Sequence, residues 1–417
     1  MGLRVTPSSL EPDPAGRWRQ LAVLGGGVLL AFAPWFSASA VAPLLAAEWR
    51  TSGLDLPILT VAVQLGFAAA AVVLALTGAA DVIPGPRLIA AGAIVAALGN
   101  LGFATVADGI GTAIVWRALT GAGLAAVYPV ALKMLAGWFR RQRGLAIGVV
   151  IGSLTVGSAL PHLIRAVGAA GELSWRPTVV VASGIALAAA VLVGLAARSG
   201  PFEVPASRFS PAAAARAFAQ RSVQLANLGY LGHMWELYAM WTWVPIFIAA
   251  SFAASGVLQP ATASAASFLI VASGGIGCIA AGALADRFGR TLVTIAAMTG
   301  SGGTALVMGV LFGAEPALVT VVGIVWGMTV VADSAQFSAA ISELAPPGTA
   351  GSALSLQLAG GFVLTGVTIL GVGLLGGSSD GWRIGFWVLA AGPAVGIAAM
   401  TVLRRRPDAV KMANGRR

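Results

Sequence analysis

The chain has 417 residues, of which 58% are hydrophobic and 10% charged, with a mean hydropathy of +0.89. A soluble domain carries about 25% charged residues, so a soluble globular protein is excluded. The net charge of +10 raises nucleic acid as a partner, a reading that the placement of the charges removes. The single cysteine, Cys278, excludes an internal disulfide and any Cys-cluster metal site.

In chain order, apolar runs long enough to cross a bilayer fall at 21–46, 56–77, 87–106, 110–132, 144–166, 177–198, 223–250, 261–284, 291–312, 316–340, 349–375 and 384–403, each near the ~20 residues that a spanning helix needs. The 55 glycines suit such a bundle, because small residues let backbones approach closely. Ala38-Ser39-Ala40 resembles a signal cleavage site. Removing the first run would leave eleven and break the two-fold pattern below, so it is read as retained. With the N-terminus in the cytoplasm, twenty Lys and Arg lie on that side. Four, Arg50, Arg165, Arg176 and Arg383, lie on the other, and Arg117 lies inside a span. This positive-inside bias places both termini in the cytoplasm, as expected of a bacterial inner-membrane protein. The basicity then reflects topology and contact with anionic lipid head groups, not nucleic acid.

The chain repeats itself. Gly282-Ala283-Leu284-Ala285-Asp286-Arg287-Phe288-Gly289-Arg290 follows the eighth run, and a weaker copy, Gly78-Ala79-Ala80-Asp81 with Gly85 and Arg87, follows the second. Asp81 and Asp286 are 205 residues apart, and Trp175-Arg176 and Trp382-Arg383 are 207 apart. Two unrelated landmarks at nearly one offset indicate duplicated six-helix halves. The expected fold is an all-α membrane protein of twelve transmembrane helices in two pseudo-symmetric six-helix bundles, 1–198 and 223–417. A cytoplasmic linker, 199–222, joins them and contains a short helix on the membrane surface.

The 282–290 segment resembles the loop signature of the major facilitator superfamily, and 78–87 lies where that family has its first copy. Arg117-Ala118-Leu119-Thr120-Gly121-Ala122-Gly123 is similar to the family's fourth-helix motif, and Gly148, Gly152, Gly157 and Pro161 to its glycine-rich fifth-helix motif. Tyr128-Pro129, Lys133, Trp138-Phe139 and Arg143-Gly144 resemble the branches that carry cyanate, nitrate/nitrite and small organic anions. The resemblance implies alternating access, with a gating cluster of Asp81, Arg87, Asp286, Arg287 and Arg290 latching the two halves on the cytoplasmic side. It also implies a cavity lined by spans one, four, seven and ten, which carry Trp35, Tyr128, Trp241 and Asp333.

Only Arg117, Glu236 and Asp333 lie clearly at membrane depth. Each costs about 2.5–3.5 kcal/mol on insertion scales, which makes an intramembrane charge a functional hypothesis by default. Arg117 is read as a substrate-anion or coupling residue, against a structural pair with carbonyls or a carboxylate. His233 and Glu236 are three apart on one side of the seventh helix, among Tyr230, Trp235 and Tyr238. Burial disfavours the charged form of each, so the pair suits proton exchange near neutral pH. Pro34, Pro43, Pro129 and Pro245 are expected to kink spans one, four and seven.

One cation and two acids at depth leave no cage for a dianion. The nitrate branch that the chain resembles places arginines in its second and eighth spans, and the oxalate branch basic residues in its eighth and eleventh. Here those spans carry none, and Gln64 and Gln357 are the polar residues available. The reading is a secondary transporter, acting as a monomer, that moves a small organic monoanion with protons. The alternatives are a proton/drug antiporter and, from another class, a non-transporting sensor or assembly factor on the same scaffold. No Walker A, metal-ligand cluster or nucleophile–His–acid pattern stands in an exposed loop, so neither enzyme, cofactor nor metal is expected.

Overall fold

The computed structural model describes residues 14–51, 53–170, 174–203 and 209–416. Among the described residues the secondary structure is helical, without strands. The second to sixth spans are Pro57–Thr77, Gly85–Thr105, Ile110–Ala136, Arg143–Ala170 and Trp175–Ala196. The seventh to twelfth are Arg221–Ala254, Pro260–Phe288, Arg290–Val310, Pro316–Leu344, Ala350–Gly373 and Ser379–Arg405. Several begin as the sequence dictates, with proline in the first turn at Pro57, Pro86, Pro260 and Pro316, where a missing N–H does no harm. Leu195, Val167 and Val191 are among the large apolar side chains left more than half exposed on the outside of the bundle, a surface suited to lipid.

These eleven are each long and apolar enough to cross a membrane, and the first span is the exception. It is divided into Arg17–Ala31, Ser37–Ala40 and Ala42–Trp49, so the twelfth crossing of the fold is a broken one. The residues of Ala38-Ser39-Ala40 are buried within it. The fourth span breaks after Ala125 and resumes at Tyr128, just ahead of Pro129, and the tenth breaks after Val330 and resumes at Ser334. The expected kink at Pro245 is not a break, because the seventh helix runs through it.

The packing repeats as the sequence does. In the first half, span one packs on five and six, two on four, and three on four and six. In the second half, seven packs on eleven and twelve, eight on ten, and nine on ten and twelve. The halves meet along two seams, five against eight and two against eleven. In the first seam a Cβ on Gly148 would lie 2.6 Å from the Cys278 carbonyl oxygen, and one on Gly152 would lie 2.9 Å from that of Gly275. Only glycine allows the two backbones so close.

The helix Pro211–Phe218 packs on span eleven and the start of span seven. Just before it, the Ser210 N–H donates to Ser352 Oγ (3.0 Å) and the Phe209 N–H to the Ala75 carbonyl at the end of span two (3.2 Å). The linker therefore touches both members of the second seam. Beyond span twelve, Pro407–Gly415 forms 3-10 turns that pack on the tenth span.

Candidate functional site

Between the halves lies a cavity of about 940 Å³, open at the end that carries the linker. Its closed end is built of rings from both halves. Trp35 sits 5.3 Å from Phe67, 5.8 Å from Tyr238 and 5.9 Å from Phe362, and Phe67 and Phe362 are 4.7 Å apart between centroids. Phe36 meets Trp241 edge-on at 5.7 Å. Trp35 falls where Pro34 interrupts span one, so the break aims a large side chain across the seam. Next to the rings, Thr365 Oγ1 donates to Gln64 Oε1 at 2.6 Å, tying span two to span eleven.

Midway along the cavity, His233 of span seven faces the space. Its Nδ1 lies 2.8 Å from Asp333 Oδ1 and its Nε2 2.8 Å from Ser334 Oγ. Both partners lie at the interruption of span ten, where the backbone turns and places two successive side chains around one imidazole. The expected pairing of His233 with Glu236 does not form. Glu236 accepts from the Trp326 indole (2.7 Å) and the Ser301 hydroxyl (2.8 Å), is 1% exposed, and points into spans nine and ten, outside the cavity lining.

Arg117 is also outside the lining and fully buried. Its guanidinium donates to the Pro34 carbonyl (2.9 Å), the Trp35 carbonyl, Ser37 Oγ (3.0 Å) and Asn100 Oδ1 (2.8 Å). Asn100 donates onward to the Val179 carbonyl and Ser183 Oγ, both at 3.0 Å. The break in span one frees carbonyls that lipid cannot satisfy, and one planar fork of donors takes them up.

At the mouth, the described lining holds four basic side chains, Lys133, Arg140, Arg143 and Arg290, and one acidic, Glu343. Arg290 holds Glu343 through two bonds (2.6 and 2.7 Å) and Gln336 Oε1 at 3.1 Å. Lys133 pairs with Asp81 (2.5 Å) and donates to the Ala80 carbonyl (2.7 Å). Asp286 accepts from the backbone N–H groups of Gly144 and Leu145. Its carboxylate thus caps the start of span five, where the helix dipole favours negative charge, rather than pairing with Arg287 or Arg290. Arg287 lies over the Phe288 ring at 5.1 Å, and Arg87 is exposed.

Of the substrate candidates, the structure brings Trp35, Tyr128, His233, Tyr238, Trp241 and Gln357 to the cavity and leaves Arg117, Glu236 and Asp333 behind its wall. Sequence reading missed Phe32, Phe67, Ser334 and Phe362 as lining residues. Phe67 and Phe362 give no local signal, since a phenylalanine in an apolar run looks the same facing lipid, core or cavity. Ser334, beside Asp333 in a polar stretch of an otherwise apolar run, was a readable signal.

A twelve-crossing fold of two like halves around a cavity at membrane depth defines a membrane transporter. The family model described as Major Facilitator Superfamily matches residues 24–356, and the chain belongs to that family. A curated relative, the MFS-type transporter pytF of Aspergillus terreus (strain NIH 2624 / FGSC A1156), is 26% identical over 173 residues, 41% of this chain and 56% of its own length. The chain thus matches little more than half the length of that relative. Among solved structures, a D-xylose-proton symporter superposes with a TM-score of 0.72 at 13% identity, covering 94% of this chain and 98% of that one. The nucleoside transporter NupG gives 0.68 at 14%, covering 93% and 99%. A bacterial homologue of the human lysosomal transporter Spinster, inward-facing and unoccupied, gives 0.63 at 14%, covering 94% and 97%. At such identities the likeness is one of fold.

Proposed function

We propose that the protein is a proton-coupled secondary transporter of a small organic monoanion, working by alternating access as a monomer in a bacterial inner membrane. The carrying observation is the imidazole of His233, which faces the cavity with the Asp333 carboxylate 2.8 Å from its Nδ1. A proton taken up at Nε2 makes an imidazolium against the Asp333 carboxylate, and Ser334 is placed to pass it to the cavity. At the mouth Lys133 and Arg290 are paired with Asp81 and Glu343, and Arg140 and Arg143 add positive charge that favours anions over cations.

The basic loops set the linker side in the cytoplasm, so the cavity is open inward and the aromatic plug is the outer gate. The halves 1–198 and 223–417 rock about the linker 199–222. Asp286 on the start of span five is the latch between the halves at the cytoplasmic end, while Asp81 with Lys133 holds the loop of the first half to its own fourth span. Arg117 serves the cycle by holding the broken first span in register.

The test is flux of a labelled monocarboxylate in proteoliposomes under an imposed pH gradient. Wild type is expected to accumulate solute only with the gradient, and His233→Gln to exchange solute without responding to it. Gradient-independent uptake by the wild type refutes the proton reading. Export of lipophilic compounds is the second reading, favoured by the ring-lined volume. It predicts that hydrophobic cations, and not acids, raise the melting temperature of the purified protein.

A further inference from the structure

The closed end of the cavity carries three buried N–H donors that the protein leaves without acceptors among its described residues. Trp35 and Trp241 are each 1% exposed and Gln357 is 3% exposed, and all three line the cavity. Trp35 Nε1, Trp241 Nε1 and Gln357 Nε2 are buried without an acceptor among the described residues. By contrast, the indole of Trp243, two residues along the same helix but off the lining, finds the Ile369 carbonyl at 2.9 Å, and that of Trp326 finds Glu236 at 2.7 Å. The Trp382 indole, also off the lining, is buried without an acceptor among the described residues; what distinguishes the closed end of the cavity is that three such donors gather there.

A buried donor left unpaired is unfavourable by about 1–3 kcal/mol, so three around one space mark a place where the acceptor comes from elsewhere. Gln357 stands on span eleven five residues before Phe362, somewhat more than one turn, on the open side of the ring cluster. Trp35 and Trp241 both touch that cluster, through Tyr238 and Phe36.

We propose that this end is the binding site for an aromatic monocarboxylic acid, with its ring against Phe67, Tyr238 and Phe362 and its carboxylate oxygens accepting from Trp35, Trp241 and Gln357. The inference rests on the transporter reading of the same cavity and adds the class of solute. The donors are neutral, so they select an acceptor without demanding a second charge. The rings offer flat faces to a flat body, which stacks offset or edge-on at the 4.5–7 Å spacing usual for such pairs. An ammonium group has no lone pair to offer these three N–H donors, so it leaves them unpaired where a carboxylate does not.

Calorimetric titration of the purified protein with benzoate, benzyl alcohol, cyclohexanecarboxylate and benzylammonium tests the assignment. Benzoate is expected to bind at least about tenfold more tightly than the other three. Trp35→Phe and Trp241→Phe keep a ring and remove the N–H, and each is expected to weaken benzoate about tenfold or more, as loss of a hydrogen bond to a charged group does. Benzoate affinity unchanged in both variants overturns the proposal. If either variant fails to fold, the wild-type ranking decides, and benzylammonium or benzyl alcohol binding as well as benzoate overturns it.

Transport separates the two readings. Proton-driven flux of a non-aromatic solute, with no benzoate binding, refutes this site and spares the coupling. Benzoate binding with flux indifferent to the gradient does the reverse.

Discussion

At the scale of single residues, three charges at membrane depth have three different kinds of partner. Arg117 holds carbonyls, Glu236 holds an indole and a hydroxyl, and Asp333 lies 2.8 Å from an imidazole that looks into the cavity. Substitution should sort them. Arg117→Lys keeps the charge but lacks the planar fork, leaving carbonyls at the broken first span unpaired. We expect a loss of about 2–5 kcal/mol of stability, read as a fall in melting temperature in lipid nanodiscs. Glu236→Gln keeps an acceptor for Trp326 and, on the proposed mechanism, should leave gradient-driven flux intact. Glu236→Leu strands both donors and should cost about 1–3 kcal/mol. Loss of coupling in a well-folded Glu236→Gln would return that residue to the proton pathway.

The loops and short helices act at the scale of elements. A Cβ on Gly144 would come within 2.5 Å of Asp286 Oδ1, so Gly144→Ala should push the carboxylate off the start of span five. The expected effect is faster labelling of cysteines placed at the mouth of the fifth–eighth seam, without loss of the overall fold.

The C-terminal turns tie several of these parts together. Ala409 and Met412 are buried, the Ala413 N–H donates to Glu343 (3.1 Å), and Arg416 donates to the Asp286 carbonyl. Asp408 accepts from the Ser222 hydroxyl at the start of span seven (2.6 Å). That bond, with Lys411 and Arg406 nearby, holds the Asp408 carboxyl below the usual carboxylate range. A depressed acid contributes its share above the unfolded value and loses it as pH falls through the folded one. Docking of the tail should therefore be intact at neutral pH and weaken only well into the acid range. Deleting 407–417 should lower the melting temperature and loosen the Arg290–Glu343 pair, which hydrogen–deuterium exchange at the end of span ten would report.

Over the whole molecule, alternating access requires the far-side seam to open as the linker-side mouth closes. Gln64 and Thr365 bridge that seam, and the one native cysteine, Cys278, is buried in the other. A short thiol cross-linker between Gln64→Cys and Thr365→Cys should abolish transport while leaving the cavity reachable from the linker side. Transport that survives the cross-link would mean that the aromatic plug is not the outer gate.

The number of crossings, the duplication and the family loops were legible in the sequence, because hydropathy and repeat spacing are written along the chain and the bilayer enforces them locally. Six of the nine substrate candidates reach the cavity, chiefly the aromatic and polar residues of spans one, four, seven and eleven. The partners of the buried charges were not legible. Three-residue spacing put His233 beside Glu236, but the rotation of span seven against its neighbours turned one towards span ten at the cavity and the other into the packing of spans nine and ten. The break in span ten, which carries no proline to announce it, is a decision of packing. Sequence alone determined that the chain crosses a membrane and how often, since water excludes so apolar a polymer. Which few polar groups meet the solute was decided by tertiary structure, because that depends on how helices distant in the chain turn their faces to one another.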